Sequence, residues 1–323
     1  MKNKIIIEYE VDMLEKNELP KIIVILGPTA VGKTALSLEL AQKYNGEIIS
    51  GDSMQIYRGL SVGTAKATSA EQSIAPHHLI DIADPTETFS AAKFVTLAQT
   101  AIKEITAKNK LPIIVGGTGF YIQALLGDRP LANLDIDLPE AEVATWTKKV
   151  QQEGESGIRA VLATVDPVSE ARILPGQIRR LVRALLISQH SGQAFSALQP
   201  VAKRQYNAFI IGLNTGRQKL YDRINQRVDL MLENGLLAEA QLVEKLPASS
   251  TAKMAIGYKE LFPYLRGESS LAQASEQLKL ASRRYAKRQL TWFNNQFTDI
   301  HWYDLVEHPS ELDQIIDELA RFV

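Results

Sequence analysis

The stretch IIVILGPTAVGKTALSLELAQKY, residues 22–44, carries the strongest structural signal in this 323-residue chain. Its first five residues are apolar and mostly β-branched, which is typical of a buried strand, and its leucines recur at helical spacing after the glycine-rich centre. That centre, GPTAVGKT, fits the pattern G-x-x-x-x-G-K-[ST] in the strand-to-helix context that the pattern requires. The sequence therefore predicts a strand, a phosphate-binding loop and a helix, in that order.

The chemistry of the phosphate-binding loop follows from its residues. Glycines let successive backbone N–H groups point into one concavity at a helix N-terminus, Lys33 adds a positive charge, and the Thr34 hydroxyl can ligate Mg²⁺. Such a loop binds a di- or triphosphate, ATP included, without specifying which one. The residues predicted to hold this ligand are Gly27, Pro28, Thr29, Ala30, Val31, Gly32, Lys33 and Thr34.

The remaining segments alternate between strand and helix patterns around a helical stretch. Predicted strands cover residues 47–50, 79–82, 112–115, 208–213 and 301–303. Predicted helices cover residues 91–108, 218–233, a segment ending before Pro247, and 271–296, while residues 140–198 read as helical segments broken at Asp166-Pro167 and Pro175-Gly176.

These patterns predict an α/β fold, a P-loop NTPase-like parallel sheet flanked by helices with a mostly helical insertion domain. The α/β core should comprise residues 21–128 and 207–323, and the insertion residues 129–206. Residues 1–20 are expected to form an irregular or partly ordered extension, in which Met13 is an alternative natural start.

Composition limits the classes of protein to consider. A hydrophobic fraction of 45% with 23% charged residues is that of an ordinary folded globular protein. The absence of cysteine excludes disulfides and thiolate catalysis, and the five scattered histidines lack metal-ligand spacing, so a metal should be Mg²⁺ bound by oxygens. Without a signal peptide or an apolar stretch of roughly 20 residues, we expect a cytoplasmic protein with no membrane partner. A monomer is a separate expectation.

Charge is distributed unevenly along a chain whose formal net charge is −1. Two runs contain no acidic residue. Residues 171–221 carry the cations Arg172, Arg179, Arg180, Arg183, Lys203, Arg204, Arg217 and Lys219. Residues 277–298 carry Lys279, Arg283, Arg284, Lys287 and Arg288, interleaved with Tyr285, Trp292 and Phe293. One such run is typical of a solvated helix face, whereas two in a nearly neutral protein favour a polyanionic partner.

Asp52, Ser53 and Gln55 follow a predicted parallel strand, so they should lie beside the phosphate-binding loop, where substrates bind. For Asp52, a helix N-cap or a ligand to Mg²⁺-bound water is the alternative to catalysis. The segment GGTGFY, residues 116–121, follows the next core strand, and its backbone could approach a ligand closely. A sharp turn with Tyr121 in the core is the alternative there.

Taken together, these residues resemble a family. The chain is similar to bacterial tRNA dimethylallyltransferases, or tRNA isopentenyltransferases, over residues 21–303. The resemblance rests on GPTAVGKT, SGDSMQIYRGLSVGTAK, PHHLIDIADP followed by FSAAKF, VGGTGFY, YDRINQRVDLML, AIGYKEL and AKRQLTWF. A generic P-loop kinase shares only the first of these motifs. Gly51 is one departure, because alanine is expected before the aspartate.

The resemblance implies a reaction. Dimethylallyl pyrophosphate, an allylic pyrophosphate, would be the donor, Mg²⁺ the metal, and the acceptor the exocyclic amine of the adenine 3′ of the anticodon, in the anticodon stem-loop of tRNA. An adenine amine is a poor nucleophile, so it must be positioned and lose its proton as the new C–N bond forms. Because that adenine is stacked in its loop, it must also be flipped out.

The resemblance also implies roles for residues. Asp52 resembles the family's base, and Arg223 its pyrophosphate-binding arginine, with Thr34 acting through Mg²⁺. A surface salt bridge with Asp222 or Asp229 is the alternative for Arg223, and core packing is the alternative to base stacking for Trp292. The residues implied to contact tRNA are Asp52, Ser53, Met54, Gln55, Thr118, Arg179, Arg180, Leu181, Val182, Arg183, Met254, Ala255, Ile256, Gly257, Tyr258, Lys259, Lys287, Arg288, Gln289, Leu290, Thr291, Trp292, Phe293 and Asn294.

Two other classes of function remain open from the sequence. A P-loop kinase of a small metabolite or nucleotide would use the phosphate-binding loop, with the insertion as its lid, but would leave the two acid-free runs without a purpose. A non-catalytic or ATP-driven RNA-binding protein would use those runs and leave Asp52 idle.

Overall fold

The computed structural model describes residues 19–129, 131, 138–198, 200–248 and 250–323. The predicted extension and its alternative start Met13 therefore lie outside the described residues, apart from residues 19 and 20. Within the described residues, contacts divide the chain into a core unit, residues 19–128 and 204–323, and an insertion unit that spans Arg129–Lys203.

The core unit is built on a six-stranded parallel sheet in the order β3-β2-β4-β1-β5-β6. Its strands are β1 (Lys21–Leu26), β2 (Gly46–Ser50), β3 (His77–His78), β4 (Leu111–Gly116), β5 (Asn207–Leu213) and β6 (Ile300–Tyr303). The predicted α/β class with a parallel sheet is confirmed. The strand predicted at residues 79–82 is wrong, because Leu79 and Asp81 have φ angles of +60° and +56°, which no strand accommodates.

Helices flank the sheet, and they come from the chain segments before and after the insertion unit. Before the insertion, they are α1 (Lys33–Lys43), α2 (Ser69–Ile74), α3 (Ala91–Ala107) and α4 (Gly119–Leu126). The insertion unit holds α5 (Glu140–Glu153), α6 (Ser156–Val165), α7 (Pro167–Arg172) and α8 (Ile178–Ser191). After it come α9 (Arg217–Glu233), α10 (Leu236–Glu244), a 3₁₀ turn (Thr251–Met254), α11 (Phe262–Leu265), α12 (Leu271–Gln296) and α13 (Glu311–Phe322).

The central strand explains why the opening sequence is uniformly apolar. In β1, Ile22 and Val24 join an apolar cluster that also contains Phe94 of α3. Ile23 points to the opposite face and packs in a second cluster with Leu40 of α1. A strand covered by helices on both faces needs apolar side chains at every position, whereas a half-exposed strand alternates.

The insertion unit has a core of its own. Its buried members are Val150, Ile158, Leu162, Ile173, Leu181, Val182, Ala184, Leu185 and Leu186. Asp166, fully buried before Pro167, accepts hydrogen bonds from Ser169 N at 3.0 Å and Ser196 Oγ at 2.7 Å. Burial alone would raise the pKa of Asp166, but these hydrogen bonds outweigh it and hold the pKa below the ordinary value.

Arg204 marks the return of the chain to the core unit. Its Nε donates to Asp128 Oδ1 at 2.5 Å, and its terminal nitrogen lies 3.1 Å from Asp299 Oδ2. Gln205 N then donates to the Leu126 carbonyl at 3.0 Å. These contacts place the boundary of the core unit before Arg204, earlier than the predicted boundary at residue 206.

Candidate functional site

A cavity of about 710 Å³ opens in the core unit at the carboxyl ends of the parallel strands. Its wall includes the phosphate-binding loop, the Asp52–Gln55 segment after β2, the Gly116–Gly117 turn after β4, and side chains of α9 and α12. The carboxyl ends of strands in an α/β sheet are where ligands bind. The structure thus brings together the predicted phosphate-binding loop and Asp52.

The phosphate-binding loop adopts conformations that require glycine. Gly27 and Gly32 have φ angles of +153° and +111°, and a Cβ at Gly27 would lie 2.6 Å from the Leu213 carbonyl oxygen. Lys33 Nζ donates to the carbonyl oxygens of Gly27 at 3.0 Å and of Pro28 at 2.8 Å. The lysine is thereby held over the loop, at the N-terminus of α1.

The electrostatics of the cavity involve an arginine that the sequence analysis missed. Burial, and then the positive charge of Arg227, lower the pKa of Lys33 to about 8, although Asp52 acts in the opposite direction. Arg227 is partly buried in α9, and desolvation lowers its pKa, again opposed by Asp52. Because Arg227 stands four residues after Arg223, helical spacing could have placed both on one face. Two cations and the Asp52 carboxylate therefore share this wall.

Arg223 also lines the cavity, and it is bound to the phosphate-binding loop. Its Nε donates to the Ala30 carbonyl at 2.9 Å. The two acids considered as salt-bridge partners have other contacts, since Asp222 accepts from Gln218 at 3.0 Å and Asp229 pairs with Lys279 at 2.7 Å. Arg223 therefore contacts the phosphate-binding loop and neither of these acids, and its guanidinium group lies beside the predicted phosphate position.

Asp52 is held by its own backbone turn. Its Oδ1 accepts from Met54 N at 2.9 Å, so it caps a turn and no helix. Ser53 N donates to Thr118 Oγ1 at 3.2 Å, which joins the segment after β2 to the turn after β4. The expected alanine would also fit at Gly51, because a Cβ there would meet Ile114 and Ile122 at an ordinary 3.5 Å.

Gln55 lies in the cavity wall, and its side chain is occupied by the protein. Its Oε1 accepts from Ser50 Oγ at 2.9 Å, and its Nε2 donates to the carbonyls of Thr64 at 3.3 Å and Ala65 at 3.2 Å. An RNA contact assigned by resemblance to Gln55 would compete with these bonds. Gln55 instead fixes the loop at residues 61–65 against the wall.

Glu239 of α10 holds the same loop, and the sequence analysis did not find it. Its carboxylate accepts from the backbone N–H groups of Ser61 and Val62, both at 2.8 Å, and of Gly63 at 3.0 Å. It also accepts from the Tyr258 hydroxyl at 2.9 Å. Nothing local to Glu239 signals these contacts, because the partners are distant in the chain.

The glycines of the turn after β4 are required by protein neighbours. A Cβ at Gly116 would collide with the backbone of Gly51, and one at Gly117 with Gln289 Nε2. Tyr121 is buried and stacks on Phe94 with ring centroids 4.6 Å apart, as the core alternative predicted. The backbone of this turn therefore does approach a neighbour closely, but the neighbours are the protein's own backbone and side chains.

Gln289 of α12 is buried, with both ends of its side-chain amide engaged. Its Oε1 accepts from Thr29 N at 3.0 Å, and its Nε2 donates to the Gly117 carbonyl at 3.1 Å. Tyr285, one turn earlier, lines the cavity as well, and burial together with the negative Asp52 raises the pKa of its hydroxyl. Both side chains therefore belong to the lining of the cavity.

The structure divides the α8 residues predicted to contact tRNA. Arg179, Arg180 and Arg183 are exposed in the insertion unit. Leu181 and Val182 are fully buried in the core of that unit, so their side chains do not face solvent, and the tRNA contact implied for them stays a prediction. Helical geometry explains the division, since consecutive positions of one helix face in different directions.

Residues 254–259 divide in the same way. Met254 is 60% exposed and Lys259 is exposed, and Ile256 is partly buried. Ala255 is buried, and the fully buried Tyr258 fits against Gly63, where a Cβ would lie 2.6 Å from its ring. Gly257 is also buried with a φ of +117°. The tRNA contacts implied for Ala255, Gly257 and Tyr258 therefore stay predictions for residues that are buried in this structure.

The exposed face of α12 borders a second cavity of about 350 Å³, lined by Lys287, Arg288, Thr291, Trp292, Asn295 and Gln296. Asn294 is exposed on the same stretch, Leu290 is partly buried against the apolar core, and Phe293 is fully buried, so its side chain does not face solvent. Trp292 is half-buried and meets Phe120 edge-to-face at 6.4 Å. Trp292 therefore packs partly against the apolar core, which was the alternative to base stacking.

Oxygen atoms of side chains are the metal ligands that the cavity wall offers. No three carboxylate or histidine side chains come together as a metal site within the described residues. Thr34, partly buried at the start of α1, contributes a hydroxyl to the wall that also holds Asp52. Mg²⁺ is commonly bound through one or two protein oxygens and the phosphate oxygens of a substrate, which this wall can provide.

The described helices include none that is long and apolar enough to cross a bilayer.

Comparison with known proteins gives consistent matches over most of the chain. The IPP transferase family matches residues 55–296. A tRNA dimethylallyltransferase of Limosilactobacillus reuteri is 50% identical over 301 residues, which are 91% of this chain and 96% of the relative.

Solved structures agree. A tRNA isopentenylpyrophosphate transferase of Staphylococcus epidermidis is 42% identical with a TM-score of 0.67, over 94% of this chain and all of the other. A eukaryotic dimethylallyltransferase solved acting on tRNA is 30% identical with a TM-score of 0.77, over 92% of this chain and 77% of the other.

Proposed function

Since the chain belongs to the IPP transferase family, the family of tRNA dimethylallyltransferases, we propose that the large cavity of the core unit is where it transfers a dimethylallyl group to tRNA. The donor is dimethylallyl pyrophosphate. The acceptor is the exocyclic amine of the adenine 3′ of the anticodon, and pyrophosphate is released.

One observation carries this assignment of the site. The phosphate-binding loop and Asp52 line the same cavity, together with Arg223 and Arg227. A group transfer from a pyrophosphate needs cations at the leaving group and a proton acceptor at the incoming amine. A kinase acting on a small hydroxyl compound could also use the arginines at its phosphates, but it would leave the exposed basic helix faces without a purpose.

Asp52 takes the proton in this reaction. The bond between the allylic carbon and the pyrophosphate oxygen breaks, with its electron pair leaving on the oxygen, while the adenine amine bonds to that carbon. The attacking nitrogen becomes positively charged, so its proton becomes acidic and passes to the Asp52 carboxylate. The turn that holds Asp52 Oδ1 through Met54 N leaves the second carboxylate oxygen for this role.

The loop and the two arginines stabilise the departing pyrophosphate. Lys33, the backbone N–H groups at the start of α1, and the guanidinium groups of Arg223 and Arg227 supply positive charge where negative charge develops. Partial burial of Lys33 and Arg227 strengthens the effect, because charges interact more strongly when water is excluded. Arg227 thus joins Arg223 as a ligand of the leaving group.

Thr34 would hold Mg²⁺ by its hydroxyl. The cation would supply neutralisation of the leaving group. Exposed cations on α8 and α12 would contact the phosphates of tRNA.

We further propose that the chain works as a cytoplasmic monomer.

The decisive experiment incubates the protein with labelled dimethylallyl pyrophosphate, bulk tRNA and Mg²⁺ in the absence of ATP. We expect prenylated adenine at full rate with one pyrophosphate released per product, and loss of Mg²⁺-dependent turnover in Thr34→Ala. Product that forms only with ATP, or ATP consumed in step with product, would contradict the proposal. Phosphoryl transfer from ATP to a small acceptor would establish the kinase alternative.

A further inference from the structure

The side chain of Gln289 joins two loops that meet at the large cavity. Its carbonyl oxygen accepts from Thr29 N of the phosphate-binding loop, and its amide nitrogen donates to the carbonyl of Gly117, in the turn after β4. The residue is only 5% exposed. Both hydrogen-bonding functions of the amide are thus used inside the protein.

The two loops carry the two halves of the proposed reaction. Thr29 lies in the loop that holds the donor's pyrophosphate. Gly117 precedes Thr118, whose hydroxyl accepts from Ser53 N at 3.2 Å, and Ser53 follows Asp52. Gln289 therefore adds a side-chain link between the donor loop and the wall that carries the proton acceptor, beyond the pairing of β1 with β4.

The geometry requires glutamine in particular. An ionised glutamate has no proton to donate to the Gly117 carbonyl, methionine offers neither function, and asparagine is one methylene shorter. The turn is shaped around this side chain, because a Cβ at Gly117 would collide with Gln289 Nε2. A buried carbonyl or N–H group that loses its partner is costly, so the loops would shift if the amide were removed.

We propose that Gln289 is a positioning residue for the transfer step, which fixes the distance between the phosphate-binding loop and the Asp52 wall. This role rests on the proposed function, since it presupposes an allylic pyrophosphate at the loop and an amine at Asp52. It takes the place of the direct tRNA contact that the family resemblance implies for Gln289. Misplacement of reacting groups by about 1 Å can reduce a rate on the order of a hundredfold.

The test compares Gln289→Glu and Gln289→Met with the wild-type protein. We expect kcat to fall on the order of tenfold to a hundredfold and the KM for the allylic donor to rise, while the dissociation constant for tRNA changes less than about twofold. The matched control is Gln277→Glu, which adds the same charge at an exposed position of α12, about 18 Å away along the helix axis. This control should keep the wild-type kcat.

Opposite results separate the possibilities. Weaker tRNA binding with unchanged kcat in both Gln289 variants would establish the RNA contact and overturn the positioning role. A wild-type protein that fails to transfer the allylic group overturns the proposed function itself, whereas normal transfer by well-folded Gln289 variants overturns only this inference.

A measurement on the unmodified protein covers the case in which both variants unfold. The Thr29 amide proton should exchange slowly with solvent in the ligand-free wild-type protein, since Gln289 accepts from it. Exchange at the rate of an unprotected loop amide would overturn the inference without any substitution.

Discussion

The large cavity and the basic helix faces are built in different ways. The cavity wall is assembled from several short segments, each fixed by hydrogen bonds such as those of Gln55, Glu239 and Gln289. The basic faces of α8 and α12 consist of exposed cations on regular helices, including Arg180, Arg183, Lys287 and Arg288. The first arrangement suits chemistry, which depends on fixed distances, and the second suits phosphate binding, which depends mainly on charge.

This difference predicts a separation of kinetic effects. Substitutions in the cavity should change the rate constant or the donor's affinity and leave tRNA affinity alone. Substitutions on the helix faces should change tRNA affinity and its dependence on salt.

The largest effect is expected for Asp52→Asn. Asparagine keeps the size and the hydrogen bond from Met54 N but removes the basic oxygen, so turnover should fall on the order of 10² to 10⁴-fold. The tRNA dissociation constant, measured by fluorescence anisotropy, should remain within about twofold. Near-normal turnover in the purified variant would exclude Asp52 as the base.

A second effect concerns pH. Because the pKa of Lys33 is lowered to about 8 in the ligand-free protein, its charge is complete below that pH and is lost above it. The kcat/KM for the donor should therefore fall above about pH 8, by up to tenfold per pH unit, while kcat stays level because bound pyrophosphate retains the proton.

Arg227→Met sharpens this prediction. Removing the neighbouring cation should move the decline in kcat/KM to higher pH, because Arg227 contributes to the lowered pKa of Lys33. A pH profile identical to that of the wild-type protein would mean that the decline belongs to another group.

The double substitution Lys287→Ala with Arg288→Ala should act on binding. We expect weaker affinity for all tRNAs alike and a smaller salt slope, by roughly 0.7 to 0.9 per lost phosphate contact, with kcat at saturating tRNA little changed. The matched control removes two exposed lysines elsewhere in the core unit, Lys43→Ala with Lys103→Ala. An equal loss of slope in the control would show that net charge, and no local contact, is responsible.

The smallest effect is expected for Leu181→Met, which tests the division within α8. Leu181 is fully buried, so a substitution of similar volume should cost less than about 1.5 kcal/mol of stability and leave the salt slope unchanged. Arg180→Ala with Arg183→Ala on the same helix should lower that slope. A Leu181 variant that folds normally but binds tRNA several-fold more weakly would show that Leu181 contacts tRNA.

The parts of the fold with local signals were predictable from the sequence. The segment from β1 to α1 combines an uninterrupted apolar run, glycines with positive φ and helical periodicity, all within a few residues. The strand expected at residues 79–82 failed because its conformation is decided by distant partners. There, Asp81 N and Ile82 N donate to the carbonyls of Gln55 and Ile56, which lie in a loop.

The candidate site was predictable to a similar limit. Motifs identified the loop, Asp52 and Arg223, but contiguous blocks of implied RNA contacts included buried positions such as Tyr258 and Phe293. Runs without acids in the sequence also meet acids in space, since Lys279 pairs with Asp229. Arg227 had a usable helical spacing, whereas Glu239 had no local signal at all.

The ion pair between Arg204 and Asp128 affects how the length of the insertion can vary. Asp128 and Arg204 are the core residues on either side of the insertion unit, and their ion pair at 2.5 Å holds the two chain crossings together. A segment whose attachment points already touch can vary in length at a small cost in loop-closure entropy, because that cost grows only logarithmically. Replacement of the segment between Asp128 and Arg204 by one of different length is therefore expected to leave the parallel sheet folded.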